Sequence, residues 1–120
     1  MMGEEMRTPV THAMNLQERP FRAIAEGRKT VELRLYDEKR AAVRVGDTVE
    51  FSDSCGAETL LCEVTALYRY DSFEQLYQNH DPRSIGYGDG EKADPADMLR
   101  YYSRERIDRY GVVGIGLRLK

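Results

Sequence analysis

Gly27-Arg28-Lys29-Thr30-Val31-Glu32-Leu33-Arg34-Leu35-Tyr36 joins the end of a helix to a strand, and its reading decides the fold. Val31, Leu33 and Leu35 alternate with Glu32, Arg34 and Tyr36, the period of a strand with one apolar and one polar face. Thr30, Glu32 and Arg34 then form one polar row, with neighbours about 7 Å apart by strand geometry. The row offers a hydroxyl, a carboxylate and a guanidinium, and Arg34 suits bidentate contact with a phosphate or a base edge. Lys29 shares its parity with Val31, Leu33 and Leu35, which puts it on the apolar side, taken as the barrel interior, at the barrel mouth. Desolvation there would make it a base or nucleophile, whereas a nearby carboxylate would keep it charged as an anion anchor. The same residues could also serve as a plain ion-pair ladder, with Lys29 snorkelling to solvent.

Upstream, Gln17-Glu18-Arg19-Pro20-Phe21-Arg22-Ala23-Ile24-Ala25-Glu26-Gly27 predicts a short helix. Pro20 suits an early helical position, Phe21, Ile24 and Ala25 recur at helical spacing, and Gly27 suits the C-terminal cap. Thr11–Leu16 reads as a weak first strand, and residues 1–8 as a loose tail. Downstream, residues 37–47 make a connection ending in the Gly46-Asp47 turn signal. Strands follow at residues 48–51 and 59–70. Residues 71–80 read as a helix capped by Asp71 or Ser72. A Gly-, Pro- and Asp-rich loop spans residues 81–95. A helix over residues 97–111, capped by Asp94 or Asp97 and broken near Ser103, leads to a closing strand at 112–119. The order of elements is that of an α+β domain, and a mixed β-barrel with flanking helices fits it.

The 120 residues fit one domain over positions 1–120. No segment approaches the roughly 20 apolar residues of a membrane span, and no signal-peptide pattern opens the chain. A cytoplasmic protein with no membrane partner is expected. Cys55 and Cys62 stand apart from both histidines, so no zinc site is expected. Asp81, Asp89, Glu91 and Asp94 lack the spacing of a calcium loop, and neither a metal nor any other cofactor is called for. The net charge of −3 argues against strong non-specific DNA binding. Residues 19–44, however, carry eight basic and four acidic groups, a +4 block in an otherwise acidic chain. The chain is rich in tyrosine, and Tyr87, between Gly86 and Gly88, is the best candidate to stack on a base.

Gly27, Lys29, Glu32 and Arg34 match all four fixed positions of the G-x-K-x-x-E-x-R motif, and the chain resembles the ASCH domain family. Pro20-Phe21, Val45-Gly46-Asp47, Ser72-Phe73-Glu74-Gln75-Leu76 and Tyr110-Gly111-Val112-Val113-Gly114-Ile115 extend the resemblance from about Met14 to the C-terminus. It implies a PUA-like barrel with Lys29, Glu32 and Arg34 lining a cleft, and RNA or a nucleotide as partner. Some branches of the family are enzymes: one hydrolyses the acetyl group of N4-acetylcytidine and another is associated with metal-dependent RNA cleavage. In the amidohydrolase branch the motif lysine is catalytic, and a threonine stands where this chain has Glu32, so Lys29 carries over and the threonine does not. The expected ligand-binding set is Arg28, Lys29, Thr30, Glu32, Arg34 and Tyr87. If the protein is an enzyme, Lys29 and Glu32 carry the catalysis. A protein-interaction barrel is the third reading.

Overall fold

The computed structural model describes residues 8–120; the tail expected at residues 1–8 falls, up to residue 7, outside them. The elements are β1 (Thr11–Leu16), α1 (Glu18–Ala25), β2 (Val31–Leu35), α2 (Glu38–Ala41), β3 (Thr48–Asp53), β4 (Thr59–Tyr70), α3 (Phe73–Gln78), a 3₁₀ helix (Pro95–Arg100), α4 (Arg104–Tyr110) and β5 (Val112–Leu119). The strands form one sheet in the order β1-β3-β4-β5-β2. Only β1 and β3 run parallel. The register of β4 against β5 slips between Val64 and Ala66, a bulge of the kind that bends a long strand. The result is an α+β fold whose sheet curls into a half-barrel, with β1 and β2 as its edges. Among the described residues no helix is long and apolar enough to cross a membrane.

Local chemistry fixes the helix ends. Ser72 caps α3 by accepting from Gln75 N, Asp94 caps the 3₁₀ helix by accepting from Ala96 N, and Ser103 caps α4 by accepting from Arg106 N. The helix expected over residues 97–111 is therefore two, because the Ser103 side chain starts a new one. The connection after β2 holds the unforeseen α2, whose cap is Asp37, accepting from Arg40 N. At the end of α1, Gly27 N–H reaches Ile24 O and Arg28 N–H reaches Ala23 O, a Schellman pair at a φ of 79°. This turn aims the chain from α1 into β2.

Two apolar layers cover the sheet. Phe21 and Ile24 of α1 fill the concave side with Val49, Phe51, Val64 and Ile115. Each such side chain contributes roughly 1.5–3 kcal/mol on full burial. Val31, Leu33 and Leu35 lie on the opposite side, under Phe73 and Leu76 of α3 and Ile107 of α4. This corrects the expectation that their side of β2 faces the barrel interior. Glu32 and Arg34 pair across the ladder with Ile115 and Val113 and so face the concave side. Both faces of β2 are covered, and the polar one is covered as well as the apolar one.

Candidate functional site

The concave face of β2 and the end of β1 meet at the seam of the half-barrel. Glu32, 4% exposed, occupies its centre. Its Oε1 lies 2.8 Å from Lys29 Nζ, and its Oε2 accepts from Arg34 Nε at 2.6 Å. Arg34 Nη2 donates across the seam to the Asn15 carbonyl at 2.7 Å. A continuous polar chain therefore runs from Lys29 through Glu32 and Arg34 to the backbone of β1.

Lys29, only 8% exposed, lies on the same side as Glu32, not with Val31 as alternation predicts. β2 begins at Val31, and the Schellman turn rather than the pleat sets the direction of Lys29. Its alkyl stem passes the 81–88 loop at Gly86, where an added Cβ would lie 3.3 Å from Lys29 Cδ and where φ is 114°. Burial pushes the Glu32 carboxyl up, but Lys29 and Arg34 outweigh it and hold the group below the usual carboxylate range. Glu32 is thus an ionised acceptor with a cation on each oxygen. One of the three donors of Lys29 and two of the five of Arg34 are engaged in these contacts.

This chain opens into a cleft of about 340 Å³. Tyr77, Tyr87, Tyr101 and Tyr102 supply much of its wall. The Tyr87 hydroxyl donates to Asp97 Oδ2 at 2.7 Å and lies 2.9 Å from the Tyr77 hydroxyl. Burial pushes the hydroxyls of Tyr77, Tyr87 and Tyr102 above the ordinary phenol range, so all three stay protonated at neutral pH. At the rim Arg19 of α1 pairs with Glu91, which also accepts from Gly88 N.

Of the residues expected at the site, Lys29, Glu32, Arg34 and Tyr87 line the cleft together. Arg28 is exposed and pairs with Glu26 at 2.7 Å. Thr30 is exposed and tied by its backbone to Ser84 O and Leu117 N. Neither of these two is part of the lining. Asn15, Gln17, Arg19, Asp97 and Arg100 line the cleft without having been expected there. The acidic residues of the 81–94 stretch serve turns and ion pairs: Asp81 accepts from Arg83 N, and Asp89 lies 3.5 Å from Arg83 Nε.

A curled five-stranded α+β sheet with a polar cleft at its seam is a PUA-like arrangement, a fold of RNA-binding type. The ASCH domain model matches residues 14–120, and the chain belongs to the ASCH domain family. The crystal structure of the hypothetical protein PH0355 is similar, with 30% identity and a TM-score of 0.80 over 92% of this chain and 99% of that one. The solution structure of PF0455 from Pyrococcus furiosus is 30% identical, with a TM-score of 0.69 over 91% of this chain and 96% of that one. A mutant of ZmASCH from Zymomonas mobilis shares the fold at 14% identity and a TM-score of 0.64, over 90% of this chain and 67% of that one. No curated protein matches the chain.

Proposed function

We propose that the seam cleft binds RNA or a nucleotide, with the base against the tyrosine wall and its oxygens on Lys29 and Arg34. The observation that carries this reading is the buried Lys29–Glu32–Arg34 chain opening into a tyrosine-walled cleft. The cleft volume falls in the range of small-ligand sites, roughly 300–1,000 Å³. Tyrosine faces stack on any base, at roughly 1–3 kcal/mol each. The free donors of Lys29 and Arg34 suit phosphate or carbonyl oxygens. ASCH domains are generally associated with RNA binding, which agrees with this reading.

A second reading, hydrolysis of a modified nucleoside such as an N4-acylcytidine-like amide or of RNA itself, draws support from one contact. Lys29 Nζ and Glu32 Oε1 lie 2.8 Å apart inside the cleft, within reach for proton exchange. Glu32, however, is held ionised by two cations and is a poor proton donor at neutral pH, so binding ranks ahead of turnover.

The test is thermal unfolding at low salt against nucleosides, nucleotides and short single-stranded RNAs, for wild type, Lys29→Ala and Tyr101→Ala. A ligand at 100 times its Kd stabilises the wild type by about 2.7 kcal/mol. Both variants should lose most of their ligand-induced shift, each measured against its own unliganded state. No shift for the wild type across the panel refutes the binding reading. Turnover of a bound amide or RNA that survives Lys29→Ala refutes the hydrolytic one.

A further inference from the structure

Beyond the cleft, β2 leads to a second depression. Tyr36, one residue past the end of β2, packs against the concave-side core that holds Ile115 and Val113, the ladder partners of Glu32 and Arg34. There an open hollow of about 510 Å³ is lined by Tyr36, Arg69, Asp71, Asp108, Arg109 and Tyr110. Arg69 lies over Tyr36, its guanidinium carbon 3.8 Å from the ring centroid. Arg109 lies over Tyr110 at 5.2 Å. Among the described residues neither arginine forms an ion pair, although Asp71 and Asp108 border the same hollow.

Two arginines and two aspartates cancel in charge, so the hollow is no phosphate trap. It provides a planar guanidinium already supported from below by a ring, the surface on which a nucleobase stacks. It also provides carboxylate acceptors at the edge, which match an exocyclic amino group. Uracil has no such group; cytosine, adenine and guanine do.

We propose that this hollow holds a second base of the RNA strand whose neighbouring nucleotide sits in the seam cleft, with preference for a base that carries an exocyclic amino group. The inference rests on the RNA reading of the cleft and makes the natural ligand a polymer, not a free nucleoside.

The test uses the full chain and fluorescently labelled single-stranded hexamers of cytidine, adenosine and uridine, titrated beside cytidine monophosphate. Loss of one stacked base weakens binding roughly 5- to 150-fold. Arg69→Ala should weaken the cytidine and adenosine hexamers within that range and leave the monophosphate unchanged. Arg69→Lys keeps the charge and loses the plane, and should behave like Arg69→Ala. Asp71→Asn with Asp108→Asn should narrow the gap between cytidine and uridine hexamers. Hexamer affinity that is unchanged in Arg69→Ala, or restored in Arg69→Lys, overturns the second base site even where Tyr101→Ala still abolishes monophosphate binding. Failure of the wild type to bind any hexamer or the monophosphate overturns the cleft reading, and this inference falls with it.

Discussion

Replacing Glu32 with glutamine removes one charge and almost no volume from the centre of the seam. The wild-type carboxylate faces Lys29 and Arg34, whose side chains are 9% and 12% exposed. At 2.8 Å and an effective dielectric constant near 20, each attraction is worth about 6 kcal/mol before desolvation. After desolvation, breaking a buried pair from one side costs roughly 3–5 kcal/mol. Here two cations are left facing each other, which pushes the cost up. Arg34 keeps the Asn15 carbonyl and the cleft admits water, which pushes it down. A loss of about 3 kcal/mol follows, and with a slope of about 1.5 kcal/mol per molar it lowers the urea midpoint by about 2 M.

The same substitution has a signature in acid. The folded Glu32 carboxyl titrates below its unfolded value of about 4.3, so the unfolded chain binds the extra proton. Its stabilisation is complete above that value and disappears as the pH falls through the folded one. Glu32→Gln should therefore remove part of the acid-induced loss of stability, with the difference between the proteins shrinking as the pH drops. A urea midpoint within about 0.5 M of wild type at pH 7, or a gap unchanged between pH 7 and pH 3, would refute the reasoning.

Gly114 sits where a Cβ would meet Val31 Cγ1 at 2.9 Å. Gly114→Ala should cost about 1–3 kcal/mol in urea unfolding, and pairing it with Val31→Ala should relieve the clash. Tyr87→Phe strips the hydroxyl that joins Tyr77 to Asp97 and should destabilise by about 1–3 kcal/mol, read by thermal unfolding. Burial lifts the Cys62 thiol to about 11, whereas Cys55 is exposed. A thiol reagent at pH 8 should label one cysteine in the native protein and both in urea; rapid native labelling of both would contradict the packing.

The sequence read well where a signal was local. The alternation of β2, the Gly27 exit from α1, the caps at Ser72 and Asp94 and the break at Ser103 each rest on a few neighbouring residues, and each is visible in the folded chain. The sidedness of β2 was not legible. A strand covered on both faces shows the same alternation as one with a wet face, so the pattern could not say which row looks into the barrel. Lys29 misled for a related reason: its parity was counted through a turn that does not obey strand geometry. Four of the motif and loop residues meet in the cleft, but their partners do not announce themselves. Asn15 contributes a backbone carbonyl, which no side-chain pattern can reveal. Asp97 reads as a helix-start residue, and only the fold brings it under Tyr87.

The bond from Arg34 to Asn15 has a consequence for the sheet itself. Among the described residues β1 and β2 are the outermost strands of the sheet, the position through which strand proteins recruit strangers into their sheets, and Ser84 already covers the start of β2 by accepting from Val31 N. In this protein a guanidinium spans the gap, and no sixth strand is needed. The junction therefore has a width chosen by a side chain, free of the fixed spacing of a backbone ladder. A barrel fastened in that way keeps its strands while the contents of its seam change, so the shape of what fits there is open to revision one residue at a time.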